Sequence, residues 1–154
     1  ELGLPEKAKM ISLSREYAAD IIRMFHAAGN FNYRSRWKEG VQHVEGISHV
    51  LPRVGMRFRC QMENGEEMIY YSSYAHDDDR VEFSETDEAK KNSTYYTLET
   101  TGDNKVKLTI DYYIRKNFFQ QALFTLLKKK KIKEELKRSM TRLEQVVKEI
   151  KLPG

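Results

Sequence analysis

A single cysteine, Cys60, among 154 residues excludes an internal disulfide framework and any multi-cysteine zinc site. Such usage fits a reducing compartment, and a cytoplasmic location is expected. No apolar run approaches the roughly 20 residues that a membrane-spanning helix needs, and the N-terminus lacks a signal-peptide pattern. The expectation is a soluble domain. Also missing are a Gly-rich phosphate loop, a nucleophile elbow, an internal repeat and a low-complexity linker. The four histidines, His26, His43, His49 and His76, show none of the spacings of helical or hairpin metal sites. No metal and no cofactor is expected. Neither sign of charge dominates, since 27 Lys and Arg face 23 Asp and Glu for a formal +4. Much of the positive charge lies between Lys128 and Arg142, interleaved with Glu134 and Glu135, and no nucleic-acid reader motif accompanies it. Nucleic acid is not an expected partner.

What the chain does hold is an ordinary apolar supply, 40% hydrophobic residues with 11% aromatics, enough for one domain over residues 1–154 with a substantial core. It begins ELGLPEKAK without a Met, which suggests excision from a longer polypeptide with a fused N-terminal domain.

The most organised stretch is the last. From Asn117 to about Lys151 the spacing predicts one long helix, with an apolar stripe at Phe119, Ala122, Leu126, Leu136, Met140, Leu143, Val147 and Ile150, interrupted by Lys129 and Lys133. Such a stripe needs an apolar partner. At the other end, Lys7 to Tyr17 alternates as a first strand, Ala18 to Ala28 has helical spacing closed by Gly29-Asn30 in a left-handed stop, and Tyr33 to Val41 reads as a second short helix. The rhythm then becomes strand-like: VQHVEGI, GMRFRCQM, MIYYSSYA, RVEFSET, STYYTLET and KVKLTIDYYI. The turn signals between them are Asn64-Gly65, HDDD, DEAKKN and Gly102-Asp103-Asn104. In the last strand Val106, Leu108, Ile110, Tyr112 and Ile114 form one apolar face; Met56, Phe58, Cys60 and Met62 do likewise and can meet the same helix. Alternation does not settle the register of Met68 to Ala75. The expected fold is α+β: an antiparallel sheet of about seven strands gripping the C-terminal helix, with two short helices after the first strand.

That element order resembles the helix-grip fold of the START-like (SRPBCC) superfamily, which includes birch-pollen-allergen proteins, polyketide cyclases and lipid-transfer domains. The stretch RWKEGVQHVEGISHVLPRVGMRFRC carries the likeness through Trp37, Val44-Glu45 and Val54-Gly55. HVLPRVGMRFRC, FSETDE and YYTLE are also similar to the C-terminal part of uncharacterised bacterial proteins whose N-terminal part resembles a nucleotide cyclase. The resemblance implies an apolar cavity between sheet and helix for a lipid, polyketide or other flat hydrophobic molecule.

Aromatic residues supply the candidate lining: Phe25, Trp37, Phe58, Tyr70, Phe83, Tyr96 and Tyr112, followed at the helix by Phe118, Phe119, Ala122, Leu123 and Leu126. Individually each suits ordinary core packing; together they favour a pocket. Cys60 belongs to the same face as a small buried residue. Glu85 shares the parity of Phe83 and points inward if Phe83 does, which makes it the one candidate acid or base; an ion pair to Arg57 or Arg59 is the plainer reading. Lys128 to Lys131 suits a solvated helix turn more than an anionic membrane surface. The function expected is binding of a hydrophobic or aromatic small molecule or lipid. The alternatives are a cyclase- or aromatase-like enzyme and a regulatory module fused to a nucleotide-cyclase-like domain.

Overall fold

Short turns leave consecutive strands little choice but to pair with each other, and the segments after Val41 do so. The computed structural model describes residues 6–152. In it β2 (Val41–Glu45), β3 (Arg57–Met62), β4 (Glu67–Asp77), β5 (Arg80–Asp87), β6 (Ser93–Gly102) and β7 (Lys105–Arg115) form an antiparallel meander. The first strand, β1 (Lys7–Tyr17), returns to pair with β7, giving the order β1-β7-β6-β5-β4-β3-β2. Between β1 and β2 lie α1 (Ile21–Gly29), a 3-10 turn (Phe31–Tyr33) and α2 (Arg34–Trp37). The expected α+β helix-grip arrangement is present.

Register places two rows of side chains across the face turned to the helices. One row is Leu13, Ile110, Tyr96, Phe83 and Tyr74; its neighbour is Ile11, Tyr112, Thr94, Glu85 and Ser72. The alternation in β1 breaks at Met10 because the register slips between Lys9 and Ile11, a bulge that turns Ile11 inward. For Met68 to Ala75 the ladder settles the question: Tyr70, Ser72 and Tyr74 share the inner face with Phe58, Glu85 and Phe83.

Several boundaries differ from expectation for local reasons. Helix α1 starts at Ile21 because the Asp20 carboxylate accepts the backbone N–H of Arg23 at 2.8 Å, an N-cap. Its end is not left-handed: Asn30 is extended, and its side chain accepts from Asn32 N at 2.8 Å to open the 3-10 turn. The second helix shortens to Arg34–Trp37 and has no side-chain cap. In the β3–β4 hairpin only Gly65 takes a positive φ, +92°. Strand β4 continues through His76 and Asp77, so the acidic turn is confined to Asp78 and Asp79.

The C-terminal segment is two helices, not one: α3 (Phe118–Leu127) and α4 (Lys129–Glu149), separated at Lys128, whose φ of −124° leaves the helical region. Helix α4 keeps the expected stripe. Leu136, Met140, Leu143, Val146, Val147 and Ile150 are buried with Ile11, Leu98, Val106, Leu108 and Ile110 in the main core. Each such side chain contributes about 1.5–3 kcal/mol by leaving water. In α3 the expected stripe is wrong. Phe119, Ala122 and Leu126 face solvent, and Phe124 is the buried residue. The run FFQQALFTLL is apolar on most sides, so its periodicity carries no phase, and the break at Lys128 cancels the phase inherited from α4. Nor do Phe58 and Cys60 meet the long helix. With Phe31 and Met56 they make a second apolar cluster, flanked by Val44, Met62 and Tyr70.

The two ends of the fold are tied by Arg23. Its Nε donates to Val147 O at 2.6 Å, and its terminal nitrogen donates to Lys148 O at 3.2 Å and Ile150 O at 2.7 Å. A guanidinium on the last carbonyls satisfies orphan acceptors and opposes the helix dipole. Arg23→Gln should therefore lower stability by about 1–2 kcal/mol in urea denaturation, whereas Lys148→Gln, in the exposed last turn, should change it by less than about 0.5 kcal/mol.

Candidate functional site

The bend from α1 through the 3-10 turn points Phe31 into the second cluster and, three and six residues later, Arg34 and Trp37 toward the sheet. All three are almost fully buried. Arg34 is 1% exposed, and its guanidinium donates to Glu85, itself 5% exposed and projecting from β5. Glu85 thus points inward as its parity with Phe83 implies, but its partner is Arg34. Arg57 instead binds Glu88 at 2.8 and 3.0 Å, and Arg59 lies 3.6 Å from Glu45. Three rings enclose the Arg34 guanidinium, those of Phe31, Trp37 and Tyr96, with centroids 5.2, 5.5 and 5.6 Å away. Burial works against the Arg34 charge, yet Glu85 more than offsets it and holds its pKa above the ordinary value. Arg34 Nε, Trp37 Nε1 and the Tyr96 hydroxyl are buried without a hydrogen-bond partner among the described residues.

Lys38 follows Trp37 and reaches the same charges. Burial draws its ammonium below the usual range, Glu85 opposes this, and Arg34 reinforces it. With Thr94, Tyr112, Ile132, Glu135, Leu136 and Ser139 it lines a recess of about 60 Å³, room for only one or two waters. Thr94 stands opposite Glu85 in the ladder, so this recess ends beside the buried pair.

A larger recess of about 340 Å³ opens under α3. Ile114, Leu123, Phe124 and Leu127 form its apolar surfaces, and Lys90, Asn92, Arg115, Gln120 and Lys128 its polar ones. The β5–β6 turn holds Lys90 and Asn92 in place: the Asp87 carboxylate accepts from Ala89 N at 3.0 Å, and Asp87 N donates to Asn92 O at 2.9 Å. Asn92 Nδ2 donates to the Tyr112 hydroxyl at 3.3 Å, while Phe124 stacks on the Tyr112 ring at 5.7 Å. Tyr112 thus lines the smaller recess and touches Asn92 and Phe124, two side chains that line the larger one.

The sequence candidates separate into three groups. Phe25, Phe83, Tyr96 and Trp37 pack ring to ring in the main core, with successive centroids 5.7, 4.8 and 6.2 Å apart. Phe58, Cys60 and Tyr70 belong to the second cluster, where Phe58 stacks on Tyr70 at 5.6 Å. Of the remainder, Leu123 lines the larger recess and Tyr112 the smaller, whereas Phe118, Phe119, Ala122 and Leu126 face outward. Sequence reasoning missed Arg34, Lys38, Asn92 and Phe124, and weighed Lys128 only as part of the lysine run. Only Arg34 left a signal, an arginine spaced between Phe31 and Trp37 at the intervals of one helical face.

No family model and no curated protein matches the chain. Solved structures do match its fold. A protein of Mesorhizobium loti aligns over 92% of this chain and 98% of its own at 13% identity, with a TM-score of 0.67. A protein of Chromobacterium violaceum aligns over 96% and 100% at 13% identity, with a TM-score of 0.64. DynU16, a protein of the dynemicin biosynthetic locus, aligns over 90% of this chain and 47% of its own at 14% identity, with a TM-score of 0.60. The likeness establishes a shared α+β fold.

Removing one member of a buried ion pair leaves the other charge uncompensated. Arg34→Met should cost about 3–5 kcal/mol in chemical denaturation, and Arg34→Met with Glu85→Leu should recover most of that loss. Burial, with Glu85 adding, pushes the Cys60 thiol up to about 12 from 9.0. Its contribution is complete below pH 9.0 and is lost as pH rises toward 12, because the unfolded chain releases a proton that the folded chain keeps. At pH 8 iodoacetamide should label Cys60 at least about a hundredfold more slowly in the native than in the urea-unfolded protein, as read by mass spectrometry.

Proposed function

We propose that this domain binds a hydrophobic small molecule or lipid in the recess between α3 and the sheet. The observation that carries the reading is the composition of that recess. Its volume of about 340 Å³ lies within the range of ligand sites, about 300–1,000 Å³. Ile114, Leu123, Phe124 and Leu127 remove an apolar body from water at about 25 cal/mol per Å². Lys90, Arg115 and Lys128 stand at its edge with no carboxylate among the lining residues. An anionic or acceptor-rich end on the ligand matches them. The shared fold with small bacterial proteins is compatible with this reading.

DynU16's place in a biosynthetic locus supports a second reading, a cyclase- or aromatase-like catalyst. The geometry favours it less. A proton-transfer catalyst needs a free acid or base against the substrate. Glu85 is buried and engaged by Arg34 and does not line the larger recess, which offers cations and amides.

Calorimetric titration with palmitate and with 2-naphthoate tests the binding reading, with one saturable site expected. Leu123→Trp fills the recess and should weaken binding by about tenfold or more, with a stability change below about 0.5 kcal/mol because Leu123 is 44% exposed. Ala122→Trp adds its bulk on the solvent side and should bind as the parent does. Absence of saturable binding for both probes would remove the support for this site.

A further inference from the structure

Helix α3 breaks the usual rule for a surface helix, which turns its apolar face to the core and its polar face to water. Phe124 is its one buried residue. Phe118 is 91% exposed, Phe119 72%, Leu126 79% and Leu127 64%. At about 100° per residue, Phe118, Ala122, Leu126, Phe119, Leu123 and Leu127 occupy one continuous half of the helix surface. Water therefore faces a row of large apolar side chains. Contiguous apolar surface of this kind marks an interaction site.

Charge selects the occupant. Between Arg115 and Lys133 the chain carries seven cations, Arg115, Lys116, Lys128, Lys129, Lys130, Lys131 and Lys133, and no Asp or Glu. A second copy docked on the same face across a two-fold axis would set two such clusters against each other, at the cost of like-charge repulsion. An anionic bilayer surface instead accepts both features at once: apolar side chains enter the acyl boundary and the lysines meet the headgroups.

We infer that α3 and the lysines that follow it dock this domain onto an anionic lipid surface. Leu123 and Leu127 lie both on the docking face and in the wall of the larger recess. The docked helix thus sets the recess against the bilayer.

Sedimentation with sucrose-loaded vesicles tests this. Vesicles of phosphatidylcholine mixed two to one with phosphatidylglycerol should carry the protein down at low salt, and pure phosphatidylcholine should not. Replacing Lys129, Lys130 and Lys131 by Gln should lower the partition coefficient by about fivefold per lysine. Phe118→Ser with Phe119→Ser should abolish partitioning while the denaturation midpoint and palmitate binding stay as in the parent, since neither residue lines the recess. Trp37 is fully buried, so its emission is a constant background, and Phe118→Trp supplies a reporter whose added emission should shift to the blue on the mixed vesicles. Equal partitioning onto neutral and anionic vesicles overturns the inference, as does no partitioning onto either. A concentration-dependent dimer that dissociates in the Phe118→Ser, Phe119→Ser variant also overturns it, and assigns the face to a second copy.

Discussion

A guanidinium taken out of water costs several kcal/mol unless a partner is fixed in place to receive it. Glu85 is that partner for Arg34, and β5 holds it rigidly because both its neighbours in the sheet are paired strands. Much follows from this one pairing. Helix α2 has only four residues and no side-chain cap, so it has little stability of its own. The ion pair and the three surrounding rings locate it. Its location in turn seats Phe31 in one apolar cluster and Trp37 in the other, and so joins two cores that the sheet alone would leave separate.

The same inner face accounts for the two recesses. Tyr112, Thr94 and Glu85 lie in a single row, so Tyr112, which touches Asn92 and Phe124 of the recess under α3, stands in line with the buried charges. Phe124 presses on the Tyr112 ring and Asn92 holds its hydroxyl. The outer recess presents cations and apolar walls, and the smaller recess is the one that adjoins the inner pair through Thr94. Helices α3 and α4 are thereby distinct in role although contiguous in sequence. The second is clamped by the sheet and by Glu39, whose carboxylate accepts from Nε and one terminal nitrogen of Arg138 at 2.8 and 2.7 Å, whereas the first touches the core through Phe124.

Periodicity made most of the strands and the stripe of α4 legible, because each presents one apolar and one polar face, whereas the pairing of β1 with β7 left no local signal. Such patterning failed where that contrast is missing. In α3 nearly every side is apolar, so spacing alone points Phe119 and Leu126 inward and gives no sign that Phe124 is the buried residue. The inward direction of Glu85 was readable from its parity with Phe83, but its partner was not: Arg34 and Glu85 lie 51 residues apart, and no local pattern links them. The recess was readable only in part. Leu123 sits on a helix that announces itself, whereas Asn92 and Lys90 owe their positions to a turn shaped by Asp87, a tertiary detail that composition does not encode. The many aromatics suit a pocket by composition, and most of them pack ring against ring instead.

Pairing of the first strand with the last has a consequence for how the chain assembles. Strands β2 to β7 can join in order as neighbours, but β1 has no sheet partner until β7 exists, and Arg23 finds Val147 only across 124 residues. Such long-range closure raises contact order and slows folding. During that delay β7 presents an open edge whose register fits an eleven-residue strand. Another copy's β1 fits that edge equally well, so strand exchange competes with closure as protein concentration rises.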